Sequence, residues 1–285
     1  MKTILYPTDC SEHSIAALQY AYNLSTKLQA DLIVLHVFDI PSFPGTSMIR
    51  SLQQIERNAF EEQHDILKAY CKKHLGTTSS ETNVRIEVVK NLSITDGILA
   101  KTKELQVDML IIGMKDKHSN RGVLTGDIAK ELITKSICPL LVVPNNFNTE
   151  QIKTIVYATD FEESDIRAID RLIEVAQPFE SKISVLHISA KDNDDEKSKM
   201  AWFKEMVLQK VNYKNIEFKL VISDNIYEKL NAYVHDIKAD LVVMLEREDQ
   251  GIFKKLFHRD LVKQIESHTD IPLLSFNKSN SYAIT

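Results

Sequence analysis

The chain alternates two hydrophobic periods. Short runs rich in Ile, Leu and Val at Thr3–Tyr6, Leu32–Phe38, Val84–Val89, Met109–Ile112 and Leu140–Val143 have the near-continuous apolar character of strands buried on both faces. Between them apolar residues recur at helical spacing. Ile15, Leu18, Ala21, Tyr22 and Leu28 share a face of Ser11–Leu28, and Leu52, Ile55, Ala59, Phe60, Ile66, Leu67 and Tyr70 mark a longer helix. Ile94, Ile98 and Leu105 mark a shorter one, and the last runs from about Thr125 to Lys135. Strand and helix alternating in this way predict an α/β fold with a parallel sheet covered on both faces, and right-handed crossovers leave only doubly wound topologies.

The pattern occurs twice. Lys2-Thr3-Ile4-Leu5-Tyr6-Pro7-Thr8-Asp9 returns as Lys153-Thr154-Ile155-Val156-Tyr157-Ala158-Thr159-Asp160, six of eight identical at an offset of 151. The same offset carries Val34-Leu35-His36-Val37 onto Val185-Leu186-His187-Ile188. Asp108-Met109-Leu110 then pairs with Asp240-Leu241-Val242 at an offset of 132, and Pro139-Leu140-Leu141 with Pro272-Leu273-Leu274 at 133, so the second copy is about 19 residues shorter in its middle. The expected organisation is two tandem five-stranded domains, 1–147 and 148–285, divided in the polar stretch after Pro144. The final strands, Leu140–Val143 and Leu273–Phe276, are expected to join as a pseudo-dimer, because each would otherwise be an exposed apolar edge.

Composition fits this organisation. The 285 residues are 44% hydrophobic and 26% charged, enough apolar surface for two cores and unlike a disordered chain. Residues 1–148 carry 16 basic and 16 acidic side chains and the remainder 19 and 24, so neither half is basic; nucleic acid and anionic membranes are not expected partners. No apolar run reaches 18 residues, and the opening run meets Asp9 too early for a secretory leader. Cys10, Cys71 and Cys138, odd in number and far apart, suit a reducing cytoplasm better than a disulfide framework.

In an open α/β sheet, ligands bind beyond the carboxyl ends of the strands where the winding reverses. Two loops of the first copy frame that crevice: Pro7-Thr8-Asp9-Cys10-Ser11-Glu12, and Gly113-Met114-Lys115-Asp116 through Gly126-Asp127. The second loop holds Gly113, Gly122 and Gly126, three of the seven glycines in the chain. Glycines at a strand end and a helix start allow backbone N–H groups to approach a phosphate, although they also serve plain turns. The P-loop pattern is absent, as are G-x-S-x-G, H-E-x-x-H and C-x-x-C, so no catalytic constellation is expected.

Other residues have simpler readings. His36 and His187 lack a second ligand at i+2 or i+4 and read as hydrogen-bonded structural histidines rather than metal ligands. Cys10, at a helix start where a thiolate would be stabilised, reads as a small turn residue before a redox sensor. Asp160 reads as a turn or cap, and Lys191–Lys199 as a solvated loop and helix start.

These pieces together resemble the universal stress protein family. The resemblance rests on Tyr6-Pro7-Thr8-Asp9, Val34-Leu35-His36-Val37, Asp108–Gly113 and Pro139–Pro144, with their counterparts in the second copy. It implies a Rossmann-like, adenine nucleotide alpha-hydrolase-like fold and a non-enzymatic role in stress response, in a family whose members either bind ATP through G-x-x-G-x9-G-[ST] or do not bind it. Carried over, it implies a nucleotide site in the first copy built from Pro7, Thr8, Asp9, Val37, Ile112, Gly113, Met114, Lys115, Asp116, Gly126, Asp127 and Ile128. Asp9 would lie on the base or ribose side, Val37 against adenine, and the glycines around the phosphates of ATP or AMP with Mg²⁺. Asp116 stands where the pattern has glycine and Asp127 where it has Ser or Thr. A carboxylate about 5 Å from a phosphate oxygen costs roughly 3 kcal/mol at an effective dielectric near 20, against about 0.3–2 kcal/mol returned by a helix N-terminus. Lys115, Lys117, Arg121, Lys130 or a bridging Mg²⁺ would offset that repulsion. In the second copy, Glu246-Arg247-Glu248-Asp249-Gln250-Gly251 lacks the first glycine, and no nucleotide is expected there. Two readings follow, a nucleotide-responsive binding protein and a nucleotide-free interaction scaffold, and a homodimer is compatible with either.

Overall fold

A computed structural model describes residues 1–40, 49–76, 83–114, 126–145, 147, 151–190, 192–246 and 271–277. The first copy contributes β1 (Thr3–Pro7), α1 (Ile15–Leu28), β2 (Asp31–Phe38), α2 (Ile49–Leu75), β3 (Val84–Lys90), α3 (Ile94–Glu104), β4 (Met109–Gly113), α4 (Gly126–Lys135) and β5 (Leu140–Val143). The second contributes β6 (Thr154–Ala158), α5 (Glu163–Ala176), β7 (Lys182–Ser189), α6 (Asp194–Lys210), β8 (Ile216–Ile222), α7 (Ile226–Asp236), β9 (Leu241–Glu246) and β10 (Leu273–Asn277). The apolar runs became strands within one residue at most ends. The expected helix over Ser11–Leu28 is divided, with a 3-10 turn at Glu12–Ser14 ahead of α1.

All described strands lie in one sheet of order β3-β2-β1-β4-β5-β10-β9-β6-β7-β8. Each copy is parallel throughout, winding outward from β1 or β6 in both directions, which is the doubly wound arrangement. The copies meet where β5 and β10 pair antiparallel, Leu273 opposite Val142 and Leu274 opposite Leu141. The outer strands β3 and β8 carry Arg85, Glu87, Lys90, Glu217 and Lys219, charges that discourage further strand addition.

The two-residue period of each strand divides the core into two layers. Ile4 and Tyr6 face one layer, under α1, α2, α5 and α6, whereas Leu5 faces the other, with α3, α4 and α7. Both layers contain residues from both copies, so burial does not stop at the junction. Polar residues fix the helix starts. Ser93, Asn193 and Asn225 accept from backbone N–H groups at Asp96, Glu196 and Glu228, and Glu162 with Asp165 forms a capping box on α5.

Candidate functional site

The register of β1 with β4, Ile4 opposite Met109 and Leu5 opposite Leu110, brings their carboxyl ends side by side. From there α1 leaves over one face of the sheet and α4 over the other, so the winding reverses between these two strands. Thr8 continues past β1 by donating its N–H to Leu35 O at 2.8 Å, and its Oγ1 accepts from Cys10 N at 3.0 Å. Asp9 Oδ1 accepts from Ser11 N at 3.0 Å and from Ser14 Oγ at 2.5 Å. His36 donates from Nδ1 to Thr8 O at 2.8 Å, and Tyr6 OH donates to Ser14 O at 2.7 Å. Such short-range bonds pin the loop and hold the Asp9 carboxylate in one place before any ligand arrives; hydrogen bonds to a charged group contribute about 1.5–3 kcal/mol each. Cys10 adopts φ 57°, the left-handed turn that reverses the chain into α1.

Across the crevice, Met114 N donates to Val143 O at 2.8 Å, extending the β4–β5 ladder. Val37, Ile112, Met114 and Ile128 belong to one apolar cluster. Val37 is only 7% exposed and lies under α3, where a Cβ on Gly97 would come within 2.8 Å of Val37 Cγ1. Gly113 has a packing cause of its own: a Cβ there would stand 2.9 Å from Ala17 Cβ on α1. Pro7 and Ile112 are buried strand-end residues, whereas Asp9, Gly113, Met114 and Ile128 are half-buried. Lys115 and Asp116 lie outside the described residues; Gly126 and Asp127 open α4 as backbone, and the direction of the Asp127 side chain lies outside them too.

The second copy repeats the loop skeleton with different contents. Thr159 Oγ1 accepts from Phe161 N at 2.9 Å, and His187 donates from Nδ1 to Thr159 O at 2.7 Å. Both histidines therefore brace the first strand's end, as expected for structural residues. Phe161 takes the place of Cys10, with φ 64°. Its ring packs on His187 at 4.1 Å between centroids and on Phe203 at 5.4 Å. Asp165 takes the place of Ser14. It is fully buried and accepts from Tyr157 OH at 2.8 Å, Thr159 Oγ1 at 2.9 Å, Glu162 N at 3.0 Å and Asp160 N at 3.3 Å. Asp160 is thus held through its own backbone, a turn residue.

One expectation needs adjustment. The acidic stretch at Lys191–Lys199 is not wholly solvated: Glu196 turns inward to His187 Nε2 at 3.1 Å, while Asp192, Asp194 and Asp195 are exposed. Cys10 keeps the turn role expected of it: burial, then the neighbouring Cys71 and Asp9, push its thiol up to about 12, away from a poised thiolate. Sequence reading missed Ser14, Asp165 and Glu196. The repeat carried a signal for the first two, because the offset of 151 places one polar residue on the other, five positions after Asp9 and Asp160. Glu196 had no comparable signal.

Two doubly wound copies joined along their last strands, each with a pinned loop beside its first strand, define a tandem Rossmann-like α/β protein. The family model for universal stress proteins matches residues 1–144 and again 151–274, and the chain belongs to that family. A universal stress protein of Methanocaldococcus jannaschii is 27% identical over 144 residues, covering 50% of this chain and 81% of that one. Another, from Synechocystis, is 24% identical over 293 residues and matches 97% of this chain and 100% of its own length. The crystal structure of a universal stress protein from Archaeoglobus fulgidus superposes with a TM-score of 0.62 at 14% identity, covering 96% of both chains, and shows the same fold. Among the described residues, no helix is long and apolar enough to cross a membrane, and no group of three or more His, Cys, Asp or Glu could hold a metal ion.

Proposed function

We propose that this universal stress protein is a non-enzymatic, cytoplasmic stress-response regulator that binds ATP or AMP in residues 1–147 and none in residues 148–285. The observation that carries the reading is the contrast between the two strand-end loops. In the first copy a pre-fixed Asp9 carboxylate follows β1 at the winding reversal, and Val37, Ile112 and Met114, at or just past the carboxyl ends of β2 and β4, belong to one apolar cluster. In the second, Phe161 replaces Cys10 and packs on His187, whose other ring nitrogen meets Glu196. The donor set suits an adenylate: an apolar group for the base, and a carboxylate that accepts from ribose hydroxyls. The phosphates and Mg²⁺ would fall to the segment 113–127. Calorimetric titration of the full chain with Mg·ATP and with AMP tests this. One equivalent should bind, Asp9→Ala should abolish it, and Asp116→Gly with Asp127→Ser should tighten ATP up to about a hundredfold if both carboxylates face the phosphates. No binding below about millimolar by wild type and by the double variant sinks the reading.

The packing of Gly113 against Ala17 favours a second reading, a nucleotide-free interaction scaffold in which the glycine serves the helix alone. The antiparallel β5–β10 pairing supports reading the two copies as an internal pseudo-dimer, and further pairing into homodimers would use another surface. Halves expressed separately should associate; halves that remain monomeric and soluble contradict the pseudo-dimer.

A further inference from the structure

The first helix of each copy begins differently. In the second copy Glu162 and Asp165 form a capping box at the start of α5, so both side chains serve backbone N–H groups of the helix. The repeat offset of 151 places Ser11 and Ser14 at these two positions in the first copy. Serine is a preferred N-cap, and each of the two stands at one. Ser11, extended at φ −78° and ψ 164°, precedes the 3-10 turn Glu12–Ser14, and Ser14 precedes α1. Neither hydroxyl caps its helix. Ser93, Asn193 and Asn225 do cap theirs.

The two hydroxyls turn to a carboxylate instead. Ser14 Oγ donates to Asp9 Oδ1 at 2.5 Å. Its single hydrogen is then in use, so toward Ser11 Oγ, 3.1 Å away, it can only accept, and Ser11 Oγ is the donor. Ser11 N donates to the same Asp9 Oδ1 at 3.0 Å. These bonds close a ring in which both routes from Ser11 end on Asp9, and each hydroxyl polarises the next. The serines are braced in turn from the core. Tyr6 OH on β1 donates to Ser14 O at 2.7 Å, and Tyr70 OH on α2 to Ser11 O at 3.4 Å. Tyr6 is fully buried and Tyr70 is 7% exposed, whereas Asp9, Ser11 and Ser14 are half-buried at the strand end.

Forgoing both caps costs helix stability, so the start of α1 is not built for the helix alone. Its geometry fits a second task, that of holding one carboxylate in one orientation. We propose that Ser14, backed by Ser11, is a positioning residue for Asp9 and sets the preference of the first copy's site for ligands that carry ribose hydroxyls. This role rests on the nucleotide reading above, in which Asp9 accepts from those hydroxyls. A carboxylate that can turn must be ordered when a ligand binds, and one already held loses no such freedom. Ser14 acts through Asp9, so its hydroxyl should matter for the sugar and not for the base or the phosphate.

The test compares AMP with 2′,3′-dideoxy-AMP by calorimetry on the full chain. The parent is wild type or, where that binds too weakly to titrate, the Asp116→Gly, Asp127→Ser variant. The parent should prefer AMP by at least about tenfold, as expected for hydroxyls bonded to a charged acceptor. Ser14→Ala should cut the preference to about threefold or less while affinity for the dideoxy ligand stays within about twofold. Ser14→Thr keeps a hydroxyl and should restore the preference. Ser11→Ala removes only the hydroxyl behind Ser14 and should lower it by less than Ser14→Ala does. A serine that served folding alone would weaken both ligands equally. That result, an unchanged preference in S14A, or a parent that binds both ligands alike overturns the positioning role and leaves the nucleotide reading standing. Failure of wild type and of the Asp116→Gly, Asp127→Ser variant to bind AMP removes both.

Discussion

Replacing Gly113 with alanine separates two explanations for a glycine at the end of β4. A Cβ at this position would meet Ala17 Cβ at 2.9 Å. Ordinary methyl contact is about 3.5–4.0 Å, so α1 and β4 would have to move apart by roughly half an ångström or more. Neither side can give cheaply: Ala17 and its neighbours Leu18 and Ala21 are fully buried. Overpacking of this kind costs about 1–3 kcal/mol. Urea unfolding reads it directly, because 2 kcal/mol at a slope near 2 kcal/mol/M moves the midpoint by about 1 M. The decisive variant is Ala17→Gly. Alone it should cost about 1 kcal/mol of helix propensity. Combined with Gly113→Ala it should remove most of the alanine penalty, a coupling of about 1–2 kcal/mol in the double-mutant cycle. Additive effects, or a Gly113→Ala protein as stable as wild type, would refute the packing argument and return the glycine to a ligand role.

Other outcomes follow from the buried polar and ionisable groups. Asp165→Ala removes the acceptor for two hydroxyls and two N–H groups and should cost about 3–5 kcal/mol by urea unfolding; a loss under 1 kcal/mol would show that water replaces the carboxylate. Burial pushes the thiols of Cys71 and Cys138 up to about 11 and that of Cys10 to about 12, and raises the Tyr6, Tyr20 and Tyr70 phenols. For the thiols, whose folded values exceed the ordinary one near 9, the stabilising contribution is complete below pH 9 and is lost as pH rises through 11–12. Unfolding midpoints should therefore be flat to about pH 9 and fall steeply above it, and iodoacetamide should label native protein far more slowly than unfolded protein at pH 8. Leu274→Ala, opposite Leu141 across the junction, should cost about 2–5 kcal/mol and lower a single transition seen alike by the fluorescence of Trp202 and by far-ultraviolet circular dichroism; separate transitions would mean that the two copies unfold independently.

The architecture was legible because its causes are local and repeated. The central runs Met109–Ile112 and Leu140–Val143 show no alternation and demand a sheet covered on both faces, whereas Val84–Val89 alternates and became the half-exposed edge strand β3; the six residues of eight shared by Lys2–Asp9 and Lys153–Asp160 set the two copies in register. The candidate site was legible only as a neighbourhood. Asp9 and Gly113 could be assigned to adjacent strand ends from topology, but the reason for Gly113 is a helix whose approach distance no spacing encodes. Glu196 was read as one more charge in an acidic stretch for the same reason: its partner is nine residues back in sequence and on a different element. Asp116 and the Asp127 side chain remain expectations, outside the described residues.

The seam between β5 and β10 has a consequence for how such a chain can change over time. Two identical subunits meeting edge to edge share every substitution, and their union weakens on dilution. Here both edges belong to one polypeptide, so the meeting is intramolecular at an effective concentration on the order of millimolar or above, whatever the abundance of the protein. Each side is also encoded separately. One copy can therefore acquire a phenylalanine packed on its strand-end histidine while the other keeps a cysteine at the same turn, without either losing the support of its neighbour.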